Sequence, residues 1–93
     1  MSNPLSESQL KESLKELNGW RMEGDKLKKD FKFSGFREAL SFMVRVGFEA
    51  EEQVHHPEMF NIYNNVTIGL ATHDAGDKVT AKDVKLAKAI DTL

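Results

Sequence analysis

The residues able to do chemistry are concentrated in one segment: Glu51-Glu52-Gln53-Val54-His55-His56-Pro57, followed by Tyr63, His73 and Asp83. All three histidines of the 93-residue chain fall inside it. Imidazole has an unperturbed pKa near neutrality, so it can give or take a proton at physiological pH, and this grouping points to acid–base work. His55 is expected at the end of a helix, where the negative dipole end favours an imidazolium, with Glu51 one helical turn before it. Pro57 stiffens the pair. His73 is expected at the end of a strand beside a loop, where function often concentrates. Helix end and strand end would then converge at one rim of a sheet.

Other chemistries fit less well. Three histidines and an aspartate suit zinc or iron, but helical ligand pairs usually sit at i, i+4, as in H-E-x-x-H, and His55-His56 does not supply that spacing. No metal is expected. Asp83 is explained without chemistry as part of a helix capping box. Glu51 and Glu52 read as solvated, and Phe60 and Tyr63 as packing residues. Asn61 is harder to dismiss, because strand interiors disfavour asparagine, so a hydrogen-bonding role is expected there.

A chain of 93 residues supports one domain with one modest core. The net charge of −2 gives no basic footprint for nucleic acid. With no cysteine, disulfides, thiol catalysis and cysteine-based zinc sites are excluded. The opening Met-Ser-Asn-Pro-Leu-Ser-Glu lacks the basic head and apolar run of a secretory signal, and no apolar run reaches membrane-spanning length. A cytoplasmic protein is expected, with no nucleic-acid or membrane partner.

The elements that must position the histidines follow from pattern. Ser6 and Gln9 make a capping box and Leu5 and Leu10 a hydrophobic staple, opening a helix with Leu10, Leu14 and Leu17 on one stripe and ending at Asn18-Gly19. Trp20–Glu23 alternates as a strand and turns at Gly24-Asp25. In the return strand Leu27, Phe31 and Phe33 are in phase, yet Lys29 shares that phase. A bulge near Lys28-Lys29 or an edge strand would explain it, and the edge is preferred. Ser34 is expected to cap a helix reaching about Gln53, with Phe36, Leu40, Met43, Gly47 and Ala50 as its main stripe. Phe42 and Phe48 fall outside that stripe and suggest a second contact, with another helix or another subunit.

Pro57 should end that helix. Strands over about Met59–Tyr63 and Val66–His73 follow, around Asn64-Asn65; a two-residue turn would set Tyr63 against Val66 and Asn61 against Ile68. Thr80 then caps a last helix, with Asp83 at the third position and Val84, Ala87 and Ile90 inward. The sum is an α+β fold: two hairpins in one four-stranded antiparallel sheet, three helices packed on one face, order α-β-β-α-β-β-α.

Taken together, these residues resemble the pterin-4a-carbinolamine dehydratase family. The resemblance is carried by Glu51-x3-His55-His56-Pro57-x5-Tyr63-x9-His73-x9-Asp83. Phe31-Lys32-Phe33, Phe60-Asn61-x-Tyr63-Asn64 and Thr72-His73 with Gly76 following support it, and it runs from about Trp20 to Ile90. Met59 departs from the pattern, since relatives often carry tryptophan there; the change bears on packing and removes no acid or base.

The resemblance implies one domain over 1–93, homodimers that extend the sheet across subunits and sometimes homotetramers, and no metal or organic cofactor. It implies dehydration of a 4a-hydroxytetrahydropterin, the product left by aromatic amino acid hydroxylases, to quinonoid dihydropterin. The implied partners are a small pterin substrate and, functionally, such a hydroxylase. On this basis His55 and His73 form the acid–base pair and His56 binds and orients the pterin. Glu51 and Asp83 orient or polarise the imidazoles, while Pro57, Asn61, Tyr63 and Thr72 line or support the site. The competing expectation is a non-catalytic binding or assembly module on the same fold, as in animal relatives that also partner a transcription factor. Such a module is expected to lose histidines, and this chain keeps all three.

Overall fold

Two capping boxes fix where the outer helices begin. In the computed structural model, which describes residues 3–93, Ser6 accepts from the Gln9 backbone while Gln9 returns to the Ser6 N–H, starting α1 (Glu7–Glu16). Met1 and Ser2, the start of the opening stretch read above, lie outside the described residues. Thr80 and Asp83 open α3 (Ala81–Ile90) in the same way. Between them lie β1 (Arg21–Glu23), β2 (Lys26–Lys32), α2 (Phe36–Gln53), β3 (Glu58–Ile62) and β4 (Asn65–Leu70), followed by a short 3-10 turn, His73–Ala75. The expected order α-β-β-α-β-β-α is the observed one.

The four strands form one antiparallel sheet in the order β1-β2-β4-β3. Its inner face carries Leu27 opposite Leu70, Lys29 opposite Ile68 and Phe31 opposite Val66. Against these pack Ala39, Phe42, Val46 and Ala50 of α2 and Leu86, Ala87 and Ile90 of α3. α1 buries none of its residues fully and rests on the side of this core through Leu10 and Leu14. The outer face is charged, with Arg21, Glu23, Lys28 and Asp30 in one hydrogen-bonded array.

The structure corrects three expectations of detail. β2 is a central strand, paired on both sides without a bulge. Lys29 is accommodated differently: its ammonium stands over the rings of Phe31 and Trp20, and reaches Asp91 Oδ1 at 2.8 Å and the Asn18 carbonyl at 2.6 Å. A lysine can occupy an apolar phase when its stem packs and its head finds partners. The N-cap of α2 is Gly35, with no side-chain cap from Ser34. The buried face of α2 is rotated from the expected stripe: Phe42 is core, while Phe36, Leu40, Val44 and Phe48 form an exposed row.

The second hairpin also differs. Its turn residues are Tyr63 and Asn64, with Tyr63 left-handed at φ 50°, so Ile62 pairs with Asn65 and Asn61 with Val66. This shift of two keeps each side chain on its expected face. Asn64 closes the turn onto β2 through its backbone and side chain, both bonded to Phe33.

Candidate functional site

The local fold throws the two adjacent histidines to different places. α2 ends with Val54 in the left-handed conformation, φ 51° and ψ 44°, its N–H turned back to Glu51 while the His55 N–H reaches Ala50. This pair of bonds is a Schellman closure, which reverses the chain at a helix end. His55 is thereby turned inward and buried, and His56 stays exposed.

His55 meets the start of α3. Its Nε2 lies 2.5 Å from Asp83 Oδ1, and Asp83 is wholly buried. Asp83 Oδ2 accepts from the Thr72 hydroxyl at 2.8 Å and from the Thr80 N–H at 2.8 Å. The Thr80 and Thr72 hydroxyls are themselves 2.7 Å apart. An aspartate carboxylate only accepts, so in this network His55 Nε2 is the donor and Nδ1 the ring nitrogen left for a ligand. Asp83 therefore serves twice, as the capping-box partner of α3 and as the anchor of an imidazole.

Thr72 ties this network to the third histidine. It follows β4, and its backbone N–H bonds the Lys78 carbonyl while its carbonyl accepts from Ala75 and Asp77. Those bonds close the loop that carries His73. His73 is 92% exposed and its Nδ1 lies 3.3 Å from Asp77 Oδ1. His56 Nε2 lies 2.8 Å from Glu51 Oε1, an exposed pair. Glu51 thus partners His56, where the sequence suggested His55.

His55, His56 and His73 border one cleft of about 240 Å³, together with Val54, Thr72 and Lys82. A second hollow of about 190 Å³ shares His56 and His73 with it and adds Lys26, Glu58 and Asp77. Larger hollows, about 290 Å³ beside α1 and α3 and about 410 Å³ along α2, contain no histidine. Among the described residues no group of three or more His, Asp or Glu side chains is placed to hold a metal ion.

Not every expected site residue comes to this cleft. Pro57 is half-buried and does not line the cleft. Asn61 donates to the carbonyls of Tyr63 and Asn65, which makes it a clasp of the second hairpin. Tyr63 sits in that turn with its hydroxyl beside Gly35. The sequence reading passed over Val54, Lys82 and Asp74, which all border the cleft. Val54 and Asp74 adjoin histidines in sequence, which was the available signal; Lys82 is brought in only by the α3 start.

A family model described as "Pterin 4 alpha carbinolamine dehydratase" matches residues 3–93. A relative from Opitutus terrae, named "Putative pterin-4-alpha-carbinolamine dehydratase", is 53% identical over 93 residues, covering 100% of this chain and 96% of its own. A relative of the same name from Christiangramia forsetii is 45% identical, covering 100% and 95%. Among solved structures, a transcriptional coactivator/pterin dehydratase from Brucella melitensis superposes with a TM-score of 0.90 at 40% identity, covering 97% of both chains.

Proposed function

This chain belongs to the pterin 4 alpha carbinolamine dehydratase family, and we propose that it removes water from a 4a-hydroxytetrahydropterin to give the quinonoid dihydropterin. One observation carries the reading: His55 is held by a buried carboxylate through one ring nitrogen and borders, with two further imidazoles, a single cleft. A substrate that must lose a hydroxyl at carbon 4a and a proton from the adjacent ring nitrogen needs an acid and a base at one flat ring.

In the proposed step His73 gives its proton to the departing hydroxyl and the C4a–O bond breaks. The ring nitrogen lone pair forms the C=N bond, and His55 Nδ1 takes the proton that nitrogen sheds. Asp83 supports this by steadying the imidazolium that forms on His55 and by fixing its tautomer, as a buried aspartate does behind a catalytic histidine elsewhere. The exposure of His73 suits exchange of protons with water between turnovers. His56, backed by Glu51, orients the ring. Two imidazoles account for every proton, so the step as proposed calls on no cofactor.

The substrate is the product of a pterin-dependent aromatic hydroxylase, and the proposed setting is the cytoplasm. No described helix is long and apolar enough to cross a membrane. We further propose a homodimer or homotetramer. The exposed row Phe36, Leu40, Val44 and Phe48 and the free edge at β3, with Phe60 and Ile62 exposed, support self-association.

The test is to generate the carbinolamine with a pterin-dependent hydroxylase and follow quinonoid product with and without this protein. Faster product formation is expected. No acceleration by folded protein would favour the competing assembly module, a reading with slight support in the name of the Brucella melitensis neighbour.

A further inference from the structure

Val54 is a valine in a place that suits glycine or asparagine. The position that closes a Schellman motif takes left-handed backbone, where a Cβ crowds the following carbonyl and branching at Cβ worsens the fit. Val54 holds φ 51° there. Strain of this kind persists when something offsets it. Burial does not, because Val54 is 79% exposed. Nor does the apolar contact that often accompanies this motif, since that contact joins the flanking positions, here Ala50 and His55, both buried.

The side chain stands instead at the cleft that the imidazoles border. Apart from Val54 and the small Ala71, that cleft is lined by polar side chains: the three imidazoles, Thr72, Asp74 and Lys82. A flat bicyclic ring brings apolar faces that charges and hydroxyls cover poorly, and Val54 is the larger of the two aliphatic side chains on that wall. We infer that Val54 is a substrate-binding residue whose isopropyl group lies against the face of the pterin ring, and that its strained backbone is retained for this contact. The inference rests on the dehydratase reading and adds a contact to it.

The contact and the strain separate in experiment. Val54→Gly removes both, so its melting temperature should rise by about 4 °C while kcat/KM falls about tenfold, the change residing in KM. Val54→Ile retains the apolar wall and should retain the wild-type KM. A merely structural valine would behave otherwise: stability and substrate affinity would not move in opposite senses. Active wild-type protein with an unchanged KM in Val54→Gly overturns the inference. So does a Val54→Gly variant whose KM is unchanged and whose sedimentation shows a smaller assembly, since Val54 then serves a contact between copies. Wild-type protein that does not accelerate dehydration removes the dehydratase reading itself, and this contact with it, an outcome distinct from the other two.

Discussion

His55 and Asp83, 28 residues apart in sequence, meet at 2.5 Å through a buried hydrogen bond that joins the end of α2 to the start of α3. The same carboxylate caps α3 and holds Thr72, the residue that closes the His73 loop. Asp83→Asn keeps the shape but offers an amide where three donors converge. Turnover should fall by about 10²–10⁴-fold, with a stability loss of about 1–3 kcal/mol from the disturbed network. Steady-state kinetics and thermal melts check both; near-normal turnover would show that Asp83 is only a cap.

The two histidines assigned to proton transfer should differ in what their loss does to the fold. His73 is exposed and, among the described residues, its side chain is bonded to Asp77 alone, so His73→Ala should change stability by no more than about 0.5 kcal/mol. His55→Ala leaves the buried Asp83 Oδ1 without its donor and should cost about 1–3 kcal/mol. Denaturant titration of the two single variants measures the contrast, and equal losses would contradict it.

The charged outer face of the sheet should show itself in acid. The Thr67 hydroxyl, donating to Asp30 at 2.6 Å, holds that carboxyl below its ordinary value, and Arg21 acts in the same direction. A carboxylate depressed in the folded state adds stability above its unfolded pKa and loses it as pH falls through the folded one. Asp30→Asn should therefore flatten the decline in melting temperature below about pH 4. At neutral pH it should cost at most about 1 kcal/mol, because exposed pairs are screened. Melts from neutral to strongly acid pH decide this, and a variant curve parallel to wild type would refute it.

Self-association should depend on the exposed row of α2. Phe48 is 74% exposed, the most exposed of that row, and Phe48→Asp places a charge within any apolar contact made there. Sedimentation should show wild-type protein larger than a monomer and the variant reduced in mass, with its melt little altered. A monomeric wild type would remove the proposed assembly.

What the sequence made legible was what is local. Ser6 with Gln9 and Thr80 with Asp83 start helices through contacts three residues apart, so their pattern sufficed. The histidine grouping was legible by spacing alone. Lys29 was misread because its partner, Asp91, is 62 residues away. The faces of α2 were misassigned because the helix is apolar on two sides, and only the sheet decides which is covered. Asp83 was explained by its cap; nothing in the local pattern said that its second oxygen would reach His55. Glu51 stands one turn from His55, yet the Schellman turn at Val54 hands it His56 instead.

The central claim is that two imidazoles at one cleft carry the protons of a dehydration, and the rate of carbinolamine loss in a hydroxylase-coupled assay tests it most directly. Wild-type protein should accelerate that loss, and the double variant His55→Ala, His73→Ala should fall by at least about 10²-fold while circular dichroism still shows the fold. A folded double variant that dehydrates the carbinolamine at close to the wild-type rate would contradict the account.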